Sequence, residues 1–119
     1  MKHTLSVLVE NHAGVLSRVS GLFARRGFNI DSLAVGTTTD PGVSCITIVA
    51  DDKENAIEQI EKQLNKLIDV IKVKDFTPEG IISRELMLIK VNATGQTRQE
   101  IKELADMYGA KIADITRNS

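Results

Sequence analysis

The hydrophobic period changes within one short stretch, Glu10-Asn11-His12-Ala13-Gly14-Val15-Leu16, and that change restricts the fold more than any other feature of the chain. Before it, Leu5, Val7 and Val9 fall on one face of an alternating run, with Ser6, Leu8 and Glu10 on the other; this is the period of a strand, read over residues 4–10. Leu8 suggests that the second face is covered too. From Val15 the spacing becomes helical: Val15, Leu16, Val19, Leu22 and Phe23 form one stripe, and Arg18, Arg25 and Arg26 take the remaining surface. Gly27 is placed to stop the helix in a left-handed conformation. A strand therefore turns directly into a helix, across a corner rich in polar and small residues.

Residues 28–35 and 43–50 read as two more strands, joined through Gly36 to Gly42, where Asp40-Pro41-Gly42 marks a turn. Asp51 followed by Glu54 resembles a capping box, after which Ala56, Ile57, Ile60 and Leu64 make a second helical stripe, with Glu58 and Lys62 spaced to pair on its exposed face. Residues 68–73 are β-branched and strand-like. The order β-α-β-β-α-β predicts the ferredoxin-like, split βαβ arrangement, in which both helices cover one face of a four-stranded antiparallel sheet. The other face is left bare, so a homodimer that covers it is expected.

Phe76-Thr77-Pro78-Glu79-Gly80 reads as a linker, giving domains at 1–76 and 84–119 with residues 77–83 between them. Residues 85–91 should form a strand, Thr97-Arg98-Gln99-Glu100 a capping box for a helix carrying Ile101, Leu104, Ala105 and Tyr108, Gly109 its stop, and residues 112–116 another strand. This unit faintly repeats the first: Asn92 and Gly95 echo Asn11 and Gly14 at an offset of about eighty residues. It holds only β-α-β of the repeat, a partial second α+β domain. Either the sequence is a piece of a longer one, or the half-domain completes its sheet on another chain.

A formal net charge of -1 gives no pull towards nucleic acid or membrane, and three Phe, one Tyr and no Trp leave few rings for base stacking. The lone Cys45, in an apolar run, excludes an intrachain disulfide and reads as a small buried residue. No apolar stretch reaches membrane-spanning length and no targeting segment precedes the first strand, so a cytoplasmic location is expected. His3 and His12 are too few, with Cys45, for a metal site, and there is no paired-carboxylate site, nucleophile-base set or phosphate-binding glycine loop. No catalytic activity is expected.

The corner itself suits a small zwitterion. A helix starting near Ala13 or Gly14 aims its free N–H groups and dipole into the corner, which favours a carboxylate. Gly14 removes a Cβ from the approach. Asn11 and Asn29 can offer amide oxygens to an ammonium group, while Val15, Leu16 and Ile30 can line an apolar wall. Those features together describe a free aliphatic amino acid; by themselves they equally describe an asparagine-capped helix and a permissive turn.

The run Asn-His-Ala-Gly-Val-Leu-Ser-Arg-Val-Ser-Gly-Leu-Phe-Ala-Arg-Arg-Gly-Phe-Asn-Ile-Asp-Ser-Leu at 11–33, with Asp-Pro-Gly-Val-Ser at 40–44, residues 57–70 and Arg-Glu-Leu-Met-Leu-Ile-Lys-Val at 84–91, closely resembles the small regulatory subunit of acetolactate synthase, an ACT-domain family. The resemblance implies a βαββαβ ACT effector domain that pairs edge to edge with a second copy and binds a branched-chain amino acid, chiefly valine, at the dimer interface. It further implies activation and feedback inhibition of a separate catalytic subunit, which alone would carry thiamine diphosphate, FAD and Mg. By motif position, Asn11, His12, Ala13, Gly14, Val15 and Leu16 would form the effector loop, with Asn29 and Ile30 contributing from the neighbouring element or the partner chain. Ala13 stands where ACT domains often carry proline, and Lys111 stands where Asn29 falls in the repeat, so no second effector site is expected there. A stand-alone amino-acid sensor or a purely structural ACT domain acting on another partner is the competing reading; a helix-turn-helix regulator is not, because no basic reading element is left over.

Overall fold

The structure, a computed structural model, describes residues 2–51, 56–77 and 80–119, and the chain divides into two compact units, 1–82 and 83–119. In the first, β1 (Lys2–Glu10), β2 (Ile30–Thr37), β3 (Val43–Asp51) and β4 (Val70–Asp75) form one antiparallel sheet in the order β2-β3-β1-β4, with α1 (Val15–Arg25) and α2 (Ile57–Leu64) between them in sequence. This is the expected α+β, ferredoxin-like βαββαβ arrangement.

Alternation produces the core. Leu5, Val7 and Val9 of β1 and Ile46, Ile48 and Ala50 of β3 point to the helices and are buried against Val15, Val19, Leu22 and Phe23 of α1 and Ile57, Ile60 and Leu64 of α2. Glu58 and Lys62 approach to 3.7 Å on the exposed side of α2. The opposite sheet face carries half-buried Ser6, Leu8 and Cys45. Cys45 is thus a residue of that face, with Sγ 3.4 Å from Ser6 Oγ, and not the fully buried residue expected from its apolar run.

The end of α1 follows from Gly27, at φ 74°. Its N–H bonds to the carbonyl of Ala24 at 3.1 Å and that of Phe28 to Phe23 at 3.0 Å, while the Phe23 and Phe28 rings meet edge to face at 6.4 Å. These are the paired hydrogen bonds and apolar clasp of a Schellman stop. Phe28 is consumed by that clasp, so β2 starts at Ile30 rather than at residue 28. β4 likewise starts at Val70: Ile68, assigned to the strand from sequence, is 94% exposed in the turn before it.

The two expected capping boxes fare differently. Asp51 is the last residue of β3, paired with Lys2, and among the described residues no side chain caps α2 at Ala56; Glu54 of the expected box lies outside the described residues, as do Pro78 and Glu79 of the linker. Before α3 (Arg98–Met107) the box has moved back by one turn. Thr94 Oγ1 accepts from the N–H of Thr97 at 3.2 Å and Thr97 Oγ1 accepts from that of Thr94 at 2.9 Å, so two threonines satisfy each other's backbone and Glu100 is not used.

In the second unit α3 ends at Gly109 (φ 69°), as expected, but neither residues 85–91 nor 112–116 form a strand. A strand exists only through a ladder partner, and among the described residues of this unit none pairs with them. Leu86 and Leu88 remain 94% and 84% exposed.

Candidate ligand-binding site

The corner between β1 and α1 is tied down from two sides. The N–H of Asn11 donates to the carbonyl of Gly42 at 2.9 Å and its side-chain Nδ2 donates to the Pro41 carbonyl at 3.0 Å, so the tip of the β2–β3 hairpin holds the loop. That tip is rigid in turn: Asp40 Oδ1 accepts from the N–H of Gly42 at 2.9 Å and the Asp40 carbonyl from that of Val43 at 3.0 Å. From the other side, the N–H of Glu10 donates to the carbonyl of Asp69 at 2.9 Å, in the turn between α2 and β4.

Gly14 stands at the start of α1 with φ 86° and ψ −10°, and among the described residues no side chain caps the helix. Asn11, which the plainer reading of the corner makes the helix cap, is engaged with the hairpin instead. The first N–H groups of α1 therefore have no side-chain acceptor and face the corner with the positive end of the helix dipole. A Cβ at Gly14 would be strained by the positive φ and would lie 3.2 Å from Arg18 Nη1.

A charged network borders this corner. His12 Nε2 lies 3.1 Å from both Glu10 Oε2 and Asp69 Oδ1, and Arg18 Nη2 is paired with Asp69 Oδ2. The Asp69 side chain is only 9% exposed, and two cation-capable groups converge on it. Glu10, His12 and Asp69 present possible metal-ligand atoms within 4.8 Å of one another, but Arg18 already supplies positive charge to Asp69. Helical spacing puts Arg18 on the outer face of α1, and no motif points to Asp69. The available signal was an acid interrupting the apolar run of residues 68–73, but a partner 51 positions away leaves no local pattern.

The remaining members of the expected set are dispersed. His12, Ala13 and Leu16 are exposed at the corner, whereas Val15 is buried among core residues and lines no open wall. Asn29 and half-buried Ile30 stand beyond the far end of α1; Asn29 Nδ2 is 3.5 Å from Asp31 Oδ1. Ile30 pairs with Ala50, while Glu10 pairs with Val43. The two groups thus sit at opposite ends of β3, roughly 20 Å apart at the rise of an extended chain. Within one chain Asn29 and Ile30 are not brought to the corner.

That far end has its own cluster. His3 Nδ1 is 2.6 Å from Asp75 Oδ2, and Asp75 Oδ1 accepts from the N–H of Thr77 at 2.9 Å. Burial alone would raise the Asp75 carboxyl, but the Thr77 backbone, His3 and the Thr77 hydroxyl outweigh it and hold it below its ordinary range. Glu61 of α2 is pushed up, first by burial and then by the charges of Asp75 and Glu58, with His3 opposing.

The family model described as an AHAS small subunit-like ACT domain matches residues 5–72, and that for the small subunit of acetolactate synthase matches 84–119. The probable acetolactate synthase small subunit of Archaeoglobus fulgidus is 54% identical over the whole chain, which covers 74% of that protein. The small subunit of Haemophilus influenzae is 52% identical, again over the whole chain and 73% of the relative. Among solved structures, the acetolactate synthase small subunit from Thermotoga maritima superposes with a TM-score of 0.76 at 36% identity, covering 99% of this chain and 74% of that one. The ACT domain of a Chlorobium tepidum GTP pyrophosphokinase, at 13% identity and a TM-score of 0.55 over 65% of this chain and 86% of that one, shares the fold alone. The chain belongs to the acetolactate synthase small-subunit family, and its first unit is an ACT domain.

Proposed function

We propose that the chain binds a branched-chain amino acid, chiefly valine, through its ACT unit and transmits that binding as feedback inhibition to a catalytic subunit of acetolactate synthase, which it also activates. The observation that carries this reading is the start of α1 at Gly14: left-handed, without a side-chain cap among the described residues, and anchored between the hairpin tip and Asp69. Thiamine diphosphate, FAD and Mg belong to the catalytic subunit in this reading. Among the described residues no helix is long and apolar enough to cross a membrane.

The dispersion of the expected residues supports a homodimer. β2 is an edge strand, with Leu33 and Val35 partly exposed. Antiparallel pairing of β2 with the β2 of a second copy sets the Ile30 end of one chain beside the Thr37 end of the other, and Thr37 pairs with Ser44 at the corner end of β3. Asn29 and Ile30 of one chain then approach Asn11 to Leu16 of the other, and the ligand lies between them.

Isothermal titration of L-valine, L-leucine and L-isoleucine into the dimer tests binding; saturable heat with at least one is expected, and none with any would refute the effector site. Acetolactate production by the cognate catalytic subunit should rise on adding the chain and then fall as valine is titrated.

A further inference from the structure

The guanidinium of Arg18 reaches back one turn along α1. Its Nη2 is paired with Asp69 Oδ2, while Nη1 lies 3.2 Å from the place a Cβ on Gly14 would occupy. The open side of Gly14 therefore faces a cation. Asp69 aims it: the carboxylate is nearly buried, its other oxygen contacts His12 Nε2 at 3.1 Å, and its backbone carbonyl is bonded to Glu10. Nη2 is spent on Asp69, which leaves Nη1, the nitrogen beside Gly14, with donors to offer a ligand.

We propose that Arg18, positioned by Asp69, receives the α-carboxylate of the amino-acid effector, with the first N–H groups of α1 completing the cradle. This rests on the effector reading above and adds a basis for selectivity. A ligand without a carboxylate forfeits a charge-assisted bond, so amino acids are preferred over their amides and amines. It also explains why the corner needs glycine at position 14: any side chain there would occupy the space between the helix start and the guanidinium.

L-valine and L-valinamide are titrated calorimetrically into the 119-residue chain and into Arg18→Gln, Arg18→Lys, Asp69→Asn and the double variant Arg18→Gln/Asp69→Asn, with circular dichroism as the folding control. The unmodified chain should prefer valine by roughly ten- to hundredfold, the range of one charged hydrogen bond. Arg18→Gln should weaken valine by that factor, leave valinamide unchanged and so abolish the preference. The double variant should do the same without stranding a buried carboxylate, Arg18→Lys should keep part of the preference, and Asp69→Asn should lower it while retaining the cation. A folded Arg18→Gln or double variant that keeps the full preference overturns the assignment while leaving the effector site standing. If neither Gln variant folds, undiminished preference in both Arg18→Lys and Asp69→Asn overturns it. An unmodified chain that binds none of the three branched-chain amino acids removes the effector site and this assignment with it.

Discussion

Gly14 and Asp75 show how much single residues decide here. At φ 86° a Cβ is strained in any surroundings, so Gly14→Ala should cost about 1–2 kcal/mol in a denaturation experiment. Gly14→Asp adds a charge where the ligand carboxylate is proposed to lie, and should abolish valine binding while dimerisation, followed by sedimentation, survives; retained valine affinity would move the site elsewhere. Asp75 and Glu61 act in opposite directions. Asp75 has a lowered folded pKa, so its contribution is present above the ordinary carboxylate value of about 4 and is lost as pH falls through the lowered one. Glu61 has a raised folded pKa, so its contribution is present below about 4 and is lost as pH rises through the raised one. At neutral pH Asp75→Asn should therefore lower the urea midpoint and Glu61→Gln raise it, both differences shrinking towards about pH 3. Shifts of the same sign at pH 7 would contradict this pairing. Gly14 was legible in the sequence because a strand-to-helix corner calls for a small residue. Asp69 was not, since what makes it a hub is a guanidinium and an imidazole brought to it by tertiary packing.

At the scale of elements, local period carried most of the first unit. Leu16 and Ala56 apart, the residues that alternation and helical spacing select in β1, α1 and α2 are the buried stripes, because a half-covered sheet sorts its side chains by parity. Boundaries shifted where a local device took residues away, as when Phe28 was drawn into the clasp that ends α1. Phe23, fully buried and touching Phe28, joins that clasp to the core. Phe23→Ala should cost about 3–5 kcal/mol, read from the urea midpoint, and Gly27→Ala about 1–2 kcal/mol through strain at φ 74°. The second unit was less legible for a physical reason. Residues 85–91 have the composition of a strand, but composition does not provide a ladder partner, whereas α3 needs none and formed where its period placed it.

At the scale of the whole molecule, the question is whether one chain or two make a site. Asn11 to Leu16 and Asn29 to Ile30 lie at opposite ends of the same sheet, a separation that side-chain motion cannot close. The proposed antiparallel pairing of two β2 edges would close it by bringing the Ile30 end of one chain to the Thr37 end of the other. That geometry makes a prediction independent of any single affinity. Gly14→Asp disables the corner, and Asn29→Ala disables the contribution from the far end; each homodimer should bind little or no valine. In a heterodimer of the two variants, one site combines both lesions and the other combines the intact halves. Mixing equal amounts, with time for subunit exchange, should place about half the dimers in the mixed form by random association, and each then carries one intact site. Calorimetry should therefore recover valine sites of near-parental affinity, at about a quarter of the parental number. A site contained within one chain cannot be restored by exchange, because every chain in the mixture still bears its own lesion. Verified exchange without recovered sites would thus exclude the two-chain arrangement, provided that each variant alone fails to bind.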